Sequence, residues 1–350
     1  MSVHAISQVL GFSLNRQTDA TTPVVDAKIN KIRSFSGQQI PTVVDNVRVS
    51  DAGDSGKGDP FATFSLAVQR SVDIPSAQRR ASDLDLLFAL GNVMGAVSSA
   101  QPNPTTMPLL WEHTFVWQPV GDNSEAVYTT LIDQAGNPAA DGWKKRITGV
   151  VLSQMAINGS VDDLTNLTWQ GLAIKMEDVT LPVLGSVTPA SFFKPVNATL
   201  AFGSNPAPDV SAKMSSFSLN LNRDPNLVWR AGQPISNTGF PLQADVGVQQ
   251  ATFGATLDVD NAQRLLAIND TEVEAVLTLI SPDLVNGENK KVTITIPNAK
   301  MVEAPNNVNG QRVTNQIAIN NDSIIKAPGG QPITIVVTTD IDNSELLVVA

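Results

Sequence analysis

Residues 290–301 read KKVTITIPNAKM. Val292, Ile294 and Ile296 alternate with Thr293 and Thr295, two lysines precede the run, and Pro297 closes it. A period of two puts the apolar set on one face and the threonines on the other, the pattern of a strand with one buried side. Nothing in the stretch is a nucleophile, a general base or part of a metal cluster. Runs of the same kind recur along the chain. In the first half they are LLWEHTFVWQPV (109–120), EAVYTTLID (125–133), KKRITGVVLSQMAIN (144–158), NLTWQGLAIKM (166–176) and VNATLAFG (196–203). In the second they are KMSSFSLNLNR (213–223), LQADVGVQQATFGATLDVD (242–260), TEVEAVLTLIS (271–281), RVTNQIAIN (312–320) and PITIVVTT (332–339). PFATFSLAVQR (60–70) and the shorter TVVDNVRV (42–49) belong to the same set.

The chain is therefore expected to be mainly β, in two barrel- or sandwich-like halves. Two segments break the alternation. SDLDLLFALGNVMGAV predicts a helix over 82–97, with Ser82 as N-cap, Asp83 and Asp85 in the first turn, and Leu84, Leu87, Phe88 and Met94 as an apolar stripe. DNAQRLLAIN predicts a shorter helix over 260–269. Each helix follows a strand and precedes another, and a KK-headed strand comes later in both halves: KKRITGVVLSQ and KKVTITIP. The order suggests a duplicated unit. The expected organisation is an N-terminal arm and loop over 1–59, a first domain over 60–205 and a second over 206–350. GSNPAPDVSA (203–212), rich in Pro, Gly and Ser, is the candidate linker.

Composition narrows the function. Of 350 residues, 42% are hydrophobic, so a core can form, but only 16% are charged, below the roughly 25% usual in globular chains. Abundant Asn, Gln, Ser and Thr suit a protein that hides surface against copies of itself. The formal net charge of −10 argues against a grip on nucleic-acid phosphates, which needs clustered Lys and Arg. With no cysteine, disulfides and thiolate chemistry are excluded. MSVHAISQVLGFSLNRQ has neither a basic n-region nor a long apolar run, so a soluble protein made in the cytosol, with no membrane partner, is expected.

Chemistry is scarce. A Ser-His-Asp triad would have to use His113, which alternates with Trp111, Phe115 and Trp117 on one strand face and reads better as a packed core residue. Paired carboxylates for glycoside hydrolysis come without an aromatic sugar platform. The loop DAGDSGKGDP offers Asp51, Asp54 and Asp59 but not the ligand spacing of a calcium loop, and its GKG is not a phosphate-binding motif. Arg70, Arg79 and Arg80 flank a polar loop, read either as a solvated turn or as a contact to a neighbouring subunit's carboxylates. No enzyme, cofactor or metal site is expected.

One resemblance carries further. MSSFSLNLNRDPNLVWRAGQP, ATFGATLDVD, EAVLTLISP, KKVTITIPNAKMVEAP and QPITIVVTTD resemble the major tail tube proteins of long-tailed bacteriophages. RRASDLDLLFALG, LWEHTFVWQP and RITGVVLSQMAINGSV extend the resemblance into the first half. It implies a virion structural protein built of β-sandwich or barrel domains, each with a flanking helix, whose rings stack into the hollow tail tube that delivers DNA. The family's rings usually hold six tube domains, so a two-domain chain implies homotrimeric rings. Implied partners are further copies of the chain, the tape-measure, tail-tip and head–tail joining proteins, and double-stranded DNA passing without tight binding. The implied location is the virion tail, with assembly in the host cytoplasm. Candidate subunit contacts are Arg70, Arg79, Arg80, Asp51, Asp54 and Asp59, with Leu346, Leu347 and Val348 of the C-terminal tail. The alternative is a β-rich binding or adhesion module of a virion or cell surface.

Overall fold

The computed structural model describes residues 8–35, 42–45, 70–118, 126–136, 142–180, 183–228, 240–241, 243–258, 271–301, 306–309, 312–326 and 330–346. The expected strand over 60–70, apart from Arg70, and the expected helix over 260–269 lie outside these residues, as do Asp51, Asp54, Asp59, Leu347 and Val348.

The mainly β expectation holds. Strands β1 (Gln8–Phe12), β2 (Lys31–Phe35), β3 (Thr42–Asp45) and β4 (Arg70–Arg80) precede helix α1 (Asp83–Val93). β5 (Gly95–Ala100), β6 (Trp111–Trp117), β7 (Thr129–Ala135), β8 (Trp143–Ser160), β9 (Asn166–Asp178) and β10 (Lys194–Gly203) complete the first half. The second half holds β11 (Met214–Arg223), β12 (Asn226–Val228), β13 (Gln243–Asp245), β14 (Gln249–Asp258) and β15 (Glu272–Val285). It continues through β16 (Glu288–Lys300), β17 (Asn306–Asn309), β18 (Arg312–Ile319) and β19 (Thr334–Thr339). β16 contains residues 290–300 of the opening stretch, and its alternation is realised: Val292, Ile294 and Ile296 are buried while Thr293 and Thr295 are half-buried.

These strands form two main layers. The smaller sheet runs β10-β15-β16-β19-β6-β5. In the larger, one row reads β17-β18-β14-β11-β8-β9-β4-β3, with every neighbouring pair antiparallel. The 18-residue β8 also pairs with β7 near its start, and β1 and β2 follow β7 outward. All eleven residues of α1 are buried, and the helix touches β8, β9 and β11 of the large sheet and β5 and β19 of the small one. A helix apolar on every side must be covered on every side. Phe88 joins it to Phe12 (4.9 Å) and Trp169 (5.7 Å).

One ordered pattern occurs twice. With β1, β2 and β7, which extend the large sheet, and the β12–β13 pair left aside, two large-sheet strands come first in each half: β3 and β4, then β11 and β14. A small-sheet hairpin follows, β5–β6 or β15–β16. Two more large-sheet strands come next, β8–β9 or β17–β18, and then one small-sheet strand, β10 or β19. Across the large sheet both sets of four lie in the spatial order third, fourth, second, first. The halves nevertheless share both layers, through β8–β11, β10–β15 and β6–β19 pairing, and one continuous core.

Four expectations need correction. Residues 8–35 are not an arm apart from the domains, because Leu10, Phe12 and Leu14 are core residues and β1 pairs on both sides. Residues 70–80 form a strand where a loop was expected; a bulge between Ile74 and Ala77 takes up Pro75, which cannot donate to a ladder. The helix stops at Val93 because Gly95 has φ +83° and starts β5. The candidate linker is a packed turn, in which Phe202 N–H donates to Pro208 O (3.0 Å) and Val210 N–H to Leu200 O (2.8 Å).

Candidate assembly interface

Five buried charged residues, Arg79, Asp83, Asp85, Arg223 and Lys290, gather at the two ends of α1. Ser82 caps the first turn, its Oγ accepting from Asp85 N–H at 3.2 Å, as the sequence predicts. Asp85 also meets Arg33 Nε at 3.2 Å and an Arg79 terminal nitrogen at 3.9 Å. Arg79 lies over the Trp169 ring at 3.9 Å and is buried. Burial pulls its pKa down to about 9, and nearby Arg33 adds to this while Asp85 opposes it; the guanidinium still stays charged at neutral pH. Asp83 accepts from Lys290 Nζ at 2.9 Å and from the Leu84 and Ser191 N–H groups. Lys290 also reaches Asp340 at 2.6 Å. Burial disfavours its charge, but Asp83 and then Asp340 outweigh this and hold its pKa above the ordinary value. The first lysine of the opening stretch thus ties the second-half hairpin to the first-half helix.

At the other end, buried Arg223 donates to the carbonyls of Asn92 and Val93, both at 3.2 Å. Carboxylates at the N-terminus and a cation at the C-terminus complement the helix dipole. Asn92 fixes the helix to the sheet: its amide donates to Val150 O (2.9 Å) and Thr129 Oγ1 (3.0 Å), and its Oδ1 accepts from Leu152 N–H (2.5 Å). Sequence reading missed Lys290, Asn92 and Arg223, since nothing local marks a polar residue whose partner is distant in the chain.

His113 is fully buried, as its aromatic row predicts. Its Nε2 faces Ile341 O and its Nδ1 faces Ser99 Oγ, both at 2.8 Å, and Trp111 is parallel to its ring. The carbonyl requires Nε2–H, so Nδ1 accepts from Ser99. Burial lowers the imidazole pKa, against smaller opposing effects of the Ile341 carbonyl and Asp342. The folded protein therefore keeps His113 neutral, while the unfolded chain takes up a proton near its ordinary value of about 6.5. Stability is accordingly expected to fall as pH drops below about 6.5. His113→Gln should lower stability at pH 7 and flatten this acid slope. Urea titrations of both proteins between pH 7 and 5 measure it, and parallel slopes would remove His113 as the cause.

The predicted contact residues divide. Arg79 is buried and meets Asp85 and Trp169 of its own chain. Arg80 is exposed at the end of β4, and Arg70 starts the same strand. Leu346 is no free tail residue, since it is 2% exposed and part of the core. Among the described residues, no three His, Cys, Asp or Glu side chains gather as metal ligands, and no helix is long and apolar enough to cross a membrane.

What the large sheet offers outward is edges. Among the described residues the large sheet ends at three strands: β2, which pairs only with β1 and is bonded beside it by Thr188 (N–H to Ile32 O, 2.8 Å), and β3 and β17, which pair only with β4 and β18 and each have an open side. Open edges with unpaired N–H and C=O groups are templates for another strand. The two edges run in opposite directions, because eight alternating strands separate their outer sides.

A family model described as phage tail tube protein matches residues 12–328. No curated protein matches the chain.

Proposed function

The chain belongs to the phage tail tube protein family and is a structural protein of the tail; from this premise we propose that it closes into three-membered rings that stack into a DNA-conducting tube. The carrying observation is the doubled topology with complementary open edges. Inside one chain the halves join where β11, the first large-sheet strand of the second repeat, pairs with β8, the third of the first repeat. Applied between copies, the same rule pairs β3 of one chain with β17 of the next. That contact is antiparallel, head-to-tail and cyclic, the type that closes a ring. Three copies then carry six repeats.

Closure also sets a bore. Roughly two dozen strands spaced about 4.8 Å apart and tilted about 40° make a barrel on the order of 45 Å across its backbone, wide enough for duplex DNA. Stacking contacts are assigned to Arg70 and Arg80 at the strand ends, and to the loop bearing Asp51, Asp54 and Asp59. The tape-measure, tail-tip and head–tail joining proteins meet the completed tube, and assembly takes place in the host cytoplasm. The role is architectural: Ser99 and His113 hold strands together and are assigned no reaction.

Negative-stain microscopy of concentrated protein tests this. Rings of three chains and long hollow tubes are expected. Discrete particles at every concentration would overturn the proposal and favour the binding-module alternative, and six chains per ring would overturn the paired-repeat stoichiometry.

A further inference from the structure

The large sheet has two faces, and only one is covered by α1 and the small sheet. On the other, over β8–β9 and β11–β14–β18, the exposed or half-buried side chains include Asn158, Thr168, Gln170, Ser218, Asn220 and Thr252. They interlock sideways: Gln170 Nε2 donates to Gln154 Oε1 at 3.0 Å, and Asn220 Nδ2 to Thr252 Oγ1 at 3.3 Å. Although 16% of the chain is charged, no Asp, Glu, Lys or Arg occurs in 154–160, 166–170, 216–222, 250–256 or 316–318. Charges flank these stretches, among them Asp73 and Arg80 of β4, Lys175 and Glu177 of β9, Asp224 after β11 and Asp258 of β14. The small sheet's outer face differs, carrying Glu112, Glu274 and Lys291.

We propose that this charge-free face of hydroxyls and carboxamides is the surface over which the duplex slides, so that the passage works by electrical neutrality and not by acidic repulsion. The inference rests on the ring reading. If the large sheet closes, α1 and the small sheet occupy one side of it, and that layer is too thick to sit within the bore, so the polar face turns inward. It stays wet because it has no apolar row to bury against a second protein. Neutral side chains give passing phosphates neither a counter-charge to bind nor a like charge to climb. Hydrogen bonds to such groups exchange with water at little net gain. The overall −10 comes from residues outside these five stretches.

The chain has no cysteine, so single-cysteine variants report cleanly. Asn220→Cys and Thr252→Cys probe the polar face; Thr293→Cys, on the small sheet, is the outer control. In assembled tubes, the first two should react with N-ethylmaleimide and lose nearly all reactivity toward a maleimide on a bulky polymer, while Thr293→Cys reacts with both. Protection of Asn220→Cys from both reagents would show the face buried between copies, and reaction with both would show it outside; either overturns the inference and leaves the tube standing. Absence of tubes in the wild type fails the ring reading itself, and the inference with it. A second measurement tests neutrality. Tubes carrying Thr168→Lys, Asn220→Lys and Thr252→Lys should retain short duplex DNA, with retention lost steeply as salt rises, whereas wild-type tubes retain none. Retention by wild-type tubes, or none by the lysine variant, would overturn it.

Discussion

Proline in β17 is expected to abolish ring formation while leaving the monomer folded. Adjacent residues of a strand send their N–H groups to opposite sides, so of Asn307 and Val308 one donates toward β18 and the other toward the open edge. Proline at the outward position removes a donor used only between copies. It should cost the isolated chain about 0.5 kcal/mol or less, the range for surface changes that break no internal contact, and eliminate rings under the microscope. Proline at the inward position should lower stability as well. A chain that carries either substitution and still forms rings would show that β17 is not the closing edge.

Asp83→Ala should give the largest loss of stability. It leaves Lys290, beside a helix N-terminus, with Asp340 as its one remaining carboxylate, and removes the acceptor for two backbone N–H groups. Breaking a buried pair from one side costs about 3–5 kcal/mol, and both side chains here are under a tenth exposed. Asp83→Asn keeps an acceptor for the backbone and should lose less. Combining Asp83→Asn with Lys290→Met removes the cation left with a single partner and should recover part of the loss, leaving Asp340, which is about half exposed, to be solvated by water. Urea denaturation of the three variants checks this order. Equal stability of Asp83→Ala and wild type would show that the pair does not hold the halves together.

What could be read from the sequence followed the range of the interaction. β11, β14 and β16 alternate strictly because one face of each meets the core and the other water, and that pattern is local. His113 was legible for the same reason, in a row of aromatic residues on a single strand. β4 was not, because Pro75 and Ser76 look like a turn until β9 is there to accommodate a bulge. Arg79 misled because arginine is expected on the surface; its burial depends on Trp169, Asp85 and Arg33, none of which its neighbours announce. The KK-headed strands that suggested a duplication are not equivalent, since β8 lies in the large sheet and β16 in the small one, and the interleaving of the halves was not visible, because strand pairing across halves is settled by packing. The neutral face is written in the letters of five strands, yet becomes a surface only when the register sets them side by side.

The complete burial of α1 has a consequence for synthesis. Its covering strands include β19, and its partner Lys290 lies 207 residues beyond Asp83. At about 5–20 residues per second, a ribosome needs on the order of ten to forty seconds to supply that lysine after making the helix. The first half cannot finish folding on its own during this interval, and its most apolar segment waits for strands not yet translated. The chain should therefore emerge as a late, all-at-once folder that depends on chaperones until nearly its last strand is free, and truncations before β19 should accumulate as aggregates and not as a stable N-terminal half.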